Sequence, residues 1–314
     1  MANYLIYILF IMGLIMILKG GDWFVDSAIW FGEITGASMG LIGITLISFA
    51  TTLPEFFVST LASKDGLSEI AVGNSIGSII CNIAVVISIC VIFKPIKIED
   101  SKFDSKALMM IVFISIFYFL ASDGLVTKIE GFILVTLTIP FMLLNFYQPN
   151  KSKITREKIN FKDIKVDLNI NILKFLIGGF LIIYGADILV NTGVEIANIL
   201  RIPKKVVSLT LLALGTSLPE LTASLTATLK NKPDISVGNI LGANILNITS
   251  VLGVSALVHP TGLRVMTSSL TTDIPVAILF MLIFTVPGML RKKIGRFTGI
   301  LLFSSYVVYI INLF

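Results

Sequence analysis

The stretch Ala50-Thr51-Thr52-Leu53-Pro54-Glu55 occurs a second time as Gly215-Thr216-Ser217-Leu218-Pro219-Glu220. The copies lie 165 positions apart, from Glu55 to Glu220. The same offset aligns Val72-Gly73-Asn74-Ser75-Ile76-Gly77-Ser78-Ile79-Ile80-Cys81-Asn82-Ile83 with Val237-Gly238-Asn239-Ile240-Leu241-Gly242-Ala243-Asn244-Ile245-Leu246-Asn247-Ile248, and Gly20-Gly21-Asp22 with Gly185-Ala186-Asp187. One offset shared by separated blocks marks an internal duplication. Each half carries an apolar segment with a proline and an acid at its middle. Interrupted segments at corresponding positions of two halves point to a binding site between them.

Composition sets the solvent. Of 314 residues, 55% are hydrophobic and 14% charged, and the mean hydropathy is +0.95. A soluble domain carries about 25% charged residues, so much of this surface must face lipid. The two cysteines, Cys81 and Cys90, both lie in apolar sequence and suggest neither a disulfide framework nor a cysteine zinc site. The lone His259 excludes a multi-histidine metal cluster, and no phosphate-loop pattern supports ATP hydrolysis. Tyr4–Leu18 lacks a basic segment before it and a small-residue cleavage site after it, so it reads as a retained span.

Apolar runs of about 20 residues are long enough to span a bilayer. Ten are read: 3–32, 38–62, 68–93, 105–121, 126–146, 172–199, 203–229, 234–258, 268–289 and 296–313. The expected fold is an all-α integral membrane protein of ten transmembrane helices in two inverted five-helix repeats. Residues 1–147 and 169–314 form the repeats and 148–168 the linker. An odd span count per half turns the second half over. Sixteen Lys and Arg fall on the linker side (four within 94–106, six within 151–165, Lys230, Lys232 and four within 291–296), against six opposite. The positive-inside rule then places the linker in the cytoplasm and both termini outside. The net charge of +5 reflects this loop asymmetry rather than nucleic-acid binding.

The chemistry lies in the repeated segments. A charge at mid-membrane costs at least ~2.5 kcal/mol on insertion scales and is a functional-site hypothesis by default. Glu55 and Glu220, if brought together, repel each other, and a divalent cation or protons would relieve that repulsion. Pro54 and Pro219 lack an N–H and clash with the carbonyl four residues back. This frees the carbonyls of Ala50 and Gly215 and loosens those of Thr51 and Thr216. Such carbonyls are tolerated at membrane depth only where something satisfies them. Carboxylate, carbonyl and hydroxyl oxygens suit Ca²⁺ or Na⁺ rather than copper or zinc. Asn74, Asn82, Asn239 and Asn247 add neutral oxygens, while Gly73, Gly77, Gly238 and Gly242 permit close helix approach.

Plainer readings compete at several positions. The G-x-x-x-G pairs fit helix packing as well as function. Asp22 and Asp187 suit a membrane face or a kink cap, and Asp26, Glu33, Glu195 and Asp273 an interface. Cys81 reads as core and His259 as a solvated loop residue; Lys19 either pairs with Asp22 or snorkels.

The two acidic segments, each followed by Val-Gly-Asn-x-x-Gly-x-x-x-x-Asn, resemble the alpha-repeats of the cation/calcium exchanger superfamily, in its sodium/calcium exchanger branch. The resemblance covers essentially the whole chain. It implies Glu55 and Glu220 as central Ca²⁺ ligands, and Thr51 and Thr216 as coordinating through carbonyl and hydroxyl. It implies carbonyls of Ser48 and Ala213 at flanking Na⁺ sites, the Ser78 hydroxyl at one of these, and amides of Asn82 and Asn247 at the midplane. Thr52, Ser217, Pro54, Pro219 and the Gly and Asn residues of the second motif support this set. The implied mechanism is alternating access, with spans one and six sliding across the others. Three departures stand out: Ala50 replaces a motif glycine, Ala243 stands opposite Ser78, and Asn247 occupies a position that is aspartate in some members. Losing the second serine hydroxyl weakens one Na⁺ site, whereas proton coupling needs only the two carboxylates.

The expected function is secondary-active export of Ca²⁺ across the cell membrane in exchange for Na⁺, with H⁺ exchange as the alternative. The chain is not expected to be an enzyme or to hold a cofactor. Its partners are the bilayer, Ca²⁺ and a monovalent counter-ion. Two non-identical halves suit one pseudo-symmetric site in a monomer better than the ring of identical subunits expected of a passive cation channel.

Overall fold

The computed structural model describes residues 2–146, 161–199, 215 and 217–312. Most of the 148–168 linker and the first part of the span expected at 203–229 lie outside these residues, as do Ala213 and Thr216. Seven of the described helices are long and apolar enough to cross a membrane, and a bent helix pair supplies an eighth such span.

Helix α1 (Ala2–Thr35) is 34 residues long. At ~1.5 Å rise per residue it exceeds the ~30 Å hydrocarbon core. The next span is interrupted. It comprises α2 (Met39–Ile42), a π-helical turn over Gly43–Ile47, α3 (Ser48–Thr51) and α4 (Leu53–Lys64). The chain bends by 43° between Thr51 and Leu53. Pro54 sits in the first turn of α4, where its missing N–H costs nothing, so the proline that stops one helix starts the next. α5 (Ser68–Cys81), a π-helical turn over Asn82–Ile87 and α6 (Ser88–Phe93) make one 26-residue span. α7 (Phe103–Leu120), α8 (Lys128–Thr136) and α9 (Thr138–Phe146) complete the first half.

The second half repeats the pattern. α10 (Phe161–Ile199) is its long helix. α11 (Leu218–Leu229) again begins with a proline, Pro219, and a first-turn acid, Glu220. α12 (Pro233–Leu246), a π-helical turn over Asn247–Val251 and α13 (Leu252–Val258) form another 26-residue span. A π-helical turn over Ser269–Asp273 leads into α14 (Ile274–Arg291), and α15 (Arg296–Asn312) follows.

α1 and α10 pack along a glycine seam. A Cβ on Gly20 would lie 2.7 Å from the Gly178 carbonyl oxygen, and one on Gly185 would lie 2.9 Å from that of Gly13. Residue number rises along α1 as it falls along α10, so the two run antiparallel. Phe24 stacks on Phe175 at 4.4 Å within the same seam. Phe24, Val25, Ala28 and Ile182 belong to a small apolar cluster that also holds Ile42, Ile47, Ala223 and Ala227. The main core is separate. It is built mainly from α5–α9, α12–α14 and their π-helical turns, with Phe103, Phe117, Phe141, Phe280 and Phe284 fully buried.

Short antiparallel strands tie the halves together outside the helices. β1 (Ile96–Lys97) pairs with β4 (Lys293–Ile294), and β2 (Leu125–Val126) pairs with β3 (Leu263–Arg264). The ends of the 68–93 and 269–291 spans therefore meet on one side, and the loops at 121–127 and 259–268 meet on the other.

Two readings of the sequence change. His259 is not solvated: it is buried, with Nε2 2.9 Å from Ser68 Oγ, and Nδ1 accepts from the Thr261 amide at 3.2 Å. The β2–β3 pairing brings its loop onto the start of α5, and buried polar groups take partners. The partner of Asp22 is Lys230, not Lys19. Lys230 Nζ lies 3.2 Å from Asp22 Oδ1 and 2.7 Å from Asp26 Oδ1.

Candidate intramembrane cation site

The site is built around the starts of α4 and α11. Glu55 and Glu220 each sit in the first turn of a helix, α4 and α11, and neither is exposed. A helix N-terminus carries partial positive charge and unpaired N–H groups, so it eases the burial of an acid. The two carboxylates are close enough to repel each other electrostatically. Each has one oxygen in a long hydrogen bond. Ser78 Oγ donates to Glu55 Oε1 at 3.4 Å, and Thr52 Oγ1 donates across the halves to Glu220 Oε1 at 3.5 Å. The other oxygen of each, Oε2, is buried with no hydrogen-bond partner among the described residues.

The asparagines complete the centre. Asn82 and Asn247 each open a π-helical turn, a local widening common at functional sites. α4 packs against the turn that starts at Asn247, and α11 against the one that starts at Asn82. Each acid's helix therefore meets the asparagine of the other half. Both asparagines are fully buried. Asn82 Nδ2 donates to Asn244 Oδ1 at 3.2 Å, while Asn82 Oδ1, both polar atoms of the Asn247 side chain and Ser217 Oγ find no partner among the described residues. A buried polar group left unpaired costs about 1–3 kcal/mol. Such atoms gathered at repeat-equivalent positions form an oxygen-rich centre suited to a hard cation that takes about 6–8 oxygens.

A second layer of hydrogen bonds braces this centre. Thr51 Oγ1 donates to Asn239 Oδ1 at 3.3 Å, and Asn239 Nδ2 donates to Ser224 Oγ at 2.9 Å. In the other half Asn74 Nδ2 donates to Ser59 Oγ at 2.9 Å and to the Glu55 carbonyl at 3.4 Å. Asn74 and Asn239 thus brace the acidic helices rather than join the unpaired centre. The Ser48 carbonyl accepts the Thr52 N–H at 3.0 Å and the Thr51 hydroxyl at 3.4 Å.

Gly238 and Gly242 serve close packing. A Cβ on Gly242 would meet the Ile44 carbonyl oxygen at 2.5 Å, and one on Gly238 would meet the Ile44 amide nitrogen at 2.9 Å. This brings α12 against the π-helical turn before Thr51. Gly73 and Gly77 have no described neighbour within 4 Å of a Cβ position.

Cys81, read as core, is fully buried. Two features escaped the sequence reading. Asn244 holds Asn82 but stands opposite Ile79 in the repeat, so symmetry gave no signal for it. Buried hydroxyls also follow each acid at four-residue spacing, as Glu55–Ser59–Ser63 and Glu220–Ser224–Thr228. That spacing puts them on one helix face, and it was visible in the sequence.

Fold and site define the class: a multi-pass helical membrane protein with a pseudo-symmetric, acid-containing centre within the membrane. The family model "Sodium/calcium exchanger protein" matches residues 5–147 and 170–314. The chain is 28% identical over 350 residues to the sodium/calcium exchanger MaX1 of Methanosarcina acetivorans, covering 98% of each chain. It is 29% identical over 315 residues to the inner membrane protein YrbG of Escherichia coli, covering 98% of this chain and 96% of that one. It superposes on a solved structure of the sodium-calcium exchanger NCX_Mj, soaked with 10 mM Na⁺ and no Ca²⁺, with a TM-score of 0.85 at 31% identity over 99% of both chains. This chain belongs to the sodium/calcium exchanger family, a family of transporters.

Proposed function

We propose that the chain is a secondary-active antiporter that exports Ca²⁺ in exchange for Na⁺, with Glu55 and Glu220 as the central Ca²⁺ ligands. The observation that carries this reading is the pair of fully buried acids, each keeping an unpartnered oxygen, beside Asn82, Asn247 and Ser217. The carbonyls and hydroxyls of Thr51 and Thr216, the carbonyls of Ser48 and Ala213 and the Ser78 hydroxyl complete the set for Ca²⁺ and flanking Na⁺. The chain forms ten spans in two inverted repeats of five. The antiparallel α1–α10 seam supports the inversion, because equivalent helices of inverted repeats must run oppositely. The β1–β4 and β2–β3 pairs support it too, since each joins the span ends that alternation puts on one side. The linker lies in the cytoplasm and both termini lie outside the cell membrane.

Transport follows from repulsion and its relief. Two buried carboxylates hold a divalent cation well and are costly to leave unneutralised. Release of Ca²⁺ therefore requires replacement by monovalent cations, which couples the two fluxes. α1 and α10 lie outside the main core and meet the acid-bearing segments through the smaller apolar cluster, which suits them to slide across the site and open it to each side in turn.

One observation favours H⁺ as counter-ion instead. Ala243 is fully buried where the first half has Ser78, so Glu220 has no counterpart of the Ser78 bond and takes a hydroxyl from Thr52 of the other half instead. The test is Ca²⁺ uptake against its gradient into liposomes containing the purified protein. A Na⁺ gradient at constant pH is expected to drive uptake. Uptake that ignores Na⁺ and collapses with a protonophore would establish H⁺ exchange, and flux only down the Ca²⁺ gradient would establish a channel.

A further inference from the structure

We propose that the face between α14 and α15 is a binding site for one anionic phospholipid, distinct from the cation centre. The two helices enclose a groove of about 470 Å³ lined by Leu282, Val286, Leu290, Phe297 and Leu301, with Arg291 at its mouth. Leu290 is 80% and Phe297 78% exposed, so the groove opens to the surroundings of the helices, which in this protein are lipid tails. An acyl chain is the apolar occupant a bilayer supplies.

The headgroup follows from charge. The groove ends at the turn Arg291-Lys292-Lys293-Ile294-Gly295-Arg296, which includes β4. In the β1–β4 ladder Lys97 stands directly opposite Lys293. Residues opposed in this way have Cβ atoms about 4.5–5.5 Å apart, and like charges there are destabilising. Both lysines are exposed, as is Arg291.

Two acids on the neighbouring elements are engaged elsewhere. Asp104 is held by Lys292 through both oxygens, at 2.7 and 2.6 Å, and Asp100 pairs with the buried Lys106 at 2.6 Å. Glu99, exposed two positions beyond Lys97, has no ion pair among the described residues and leaves the cations in excess. Arg291 in the groove lining, with Lys293 and Lys97 on the adjoining ladder, matches a phosphodiester on a lipid tail, and basic pockets between spans take anionic headgroups. The inference rests on the membrane fold and not on the identity of the transported ions.

The test is native mass spectrometry of the full chain released from bilayers of equal parts phosphatidylglycerol and phosphatidylcholine. The wild-type protein is expected to retain phosphatidylglycerol preferentially. Each lysine removed, in Lys97→Ala and Lys293→Ala, should lower that preference about fivefold, the equivalent of ~1 kcal/mol per surface charge. Lys97→Arg should keep it, and Val286→Trp, which fills the groove, should release the lipid. Equal retention of the two lipids by the wild-type protein would overturn the proposal without any variant. So would an unchanged preference in the double alanine variant, or displacement of the lipid by soluble glycerol phosphate, which would show a bare anion site.

Discussion

Ser78 donates to Glu55 and Thr52 to Glu220, each through a long bond. Bonds to charged groups contribute about 1.5–3 kcal/mol, and at these lengths the low end applies. Ser78→Ala and Thr52→Val should therefore each raise the Ca²⁺ concentration for half-maximal uptake roughly tenfold, with the maximal rate less affected. An unchanged half-maximal concentration in both variants would show that the hydroxyls do not act on the site. Ala243→Ser restores the missing counterpart of Ser78 and should strengthen the dependence of Ca²⁺ uptake on Na⁺. The acids were legible in the sequence because a charge in an apolar run is costly and these two recur at one offset. Asn244 was not legible, because a lone amide in a buried helix has the same local signature whether or not it faces a site. His259 was misread because its partner Ser68 is 191 positions away.

At the scale of elements, prolines and glycines told most. Pro54 and Pro219 marked the breaks, and both begin a helix whose first turn presents an acid. Gly242 marked the approach of α12 to the π-helical turn over Gly43–Ile47. Gly242→Ala forces a Cβ against a backbone oxygen that cannot move independently. Overpacking of this kind costs about 1–3 kcal/mol, and a lowered Tm of the detergent-solubilised protein would report it. The π-helical turns left no trace in the sequence, since their residue types serve an α-helix equally well. Nor did the clamp from Lys230 at the end of α11 to Asp22 and Asp26 of α1, which joins residues about 200 positions apart. Both acids are more than half exposed, and such pairs contribute only about 0–1 kcal/mol to stability. Lys230→Ala should therefore leave Tm nearly unchanged. Because the clamp joins α11 to α1, the helix proposed to slide, the same variant should change the ratio of apparent Ca²⁺ affinities at the two membrane faces. A ratio equal to that of wild type would mean that α1 does not move against α11.

For the whole molecule, duplication made the architecture readable. One constant offset related the halves, and span length bounded the number of crossings. Two antiparallel contacts, Gly20 on Gly178 and Gly13 on Gly185, then supplied the relative direction of the equivalent helices. What the sequence could not supply was how the halves interlock. Thr52 of one half reaches Glu220 of the other, and Thr51 reaches Asn239. The proposed cation centre is thus a joint product of both repeats, and neither half holds it alone. The most direct test is Ca²⁺ uptake driven by the counter-ion gradient in Glu55→Gln, in Glu220→Gln and in the double variant, each reconstituted at equal amounts. One shared site predicts that each single variant is as inactive as the double, with all three correctly inserted. Near-normal uptake in either single variant would contradict a shared site.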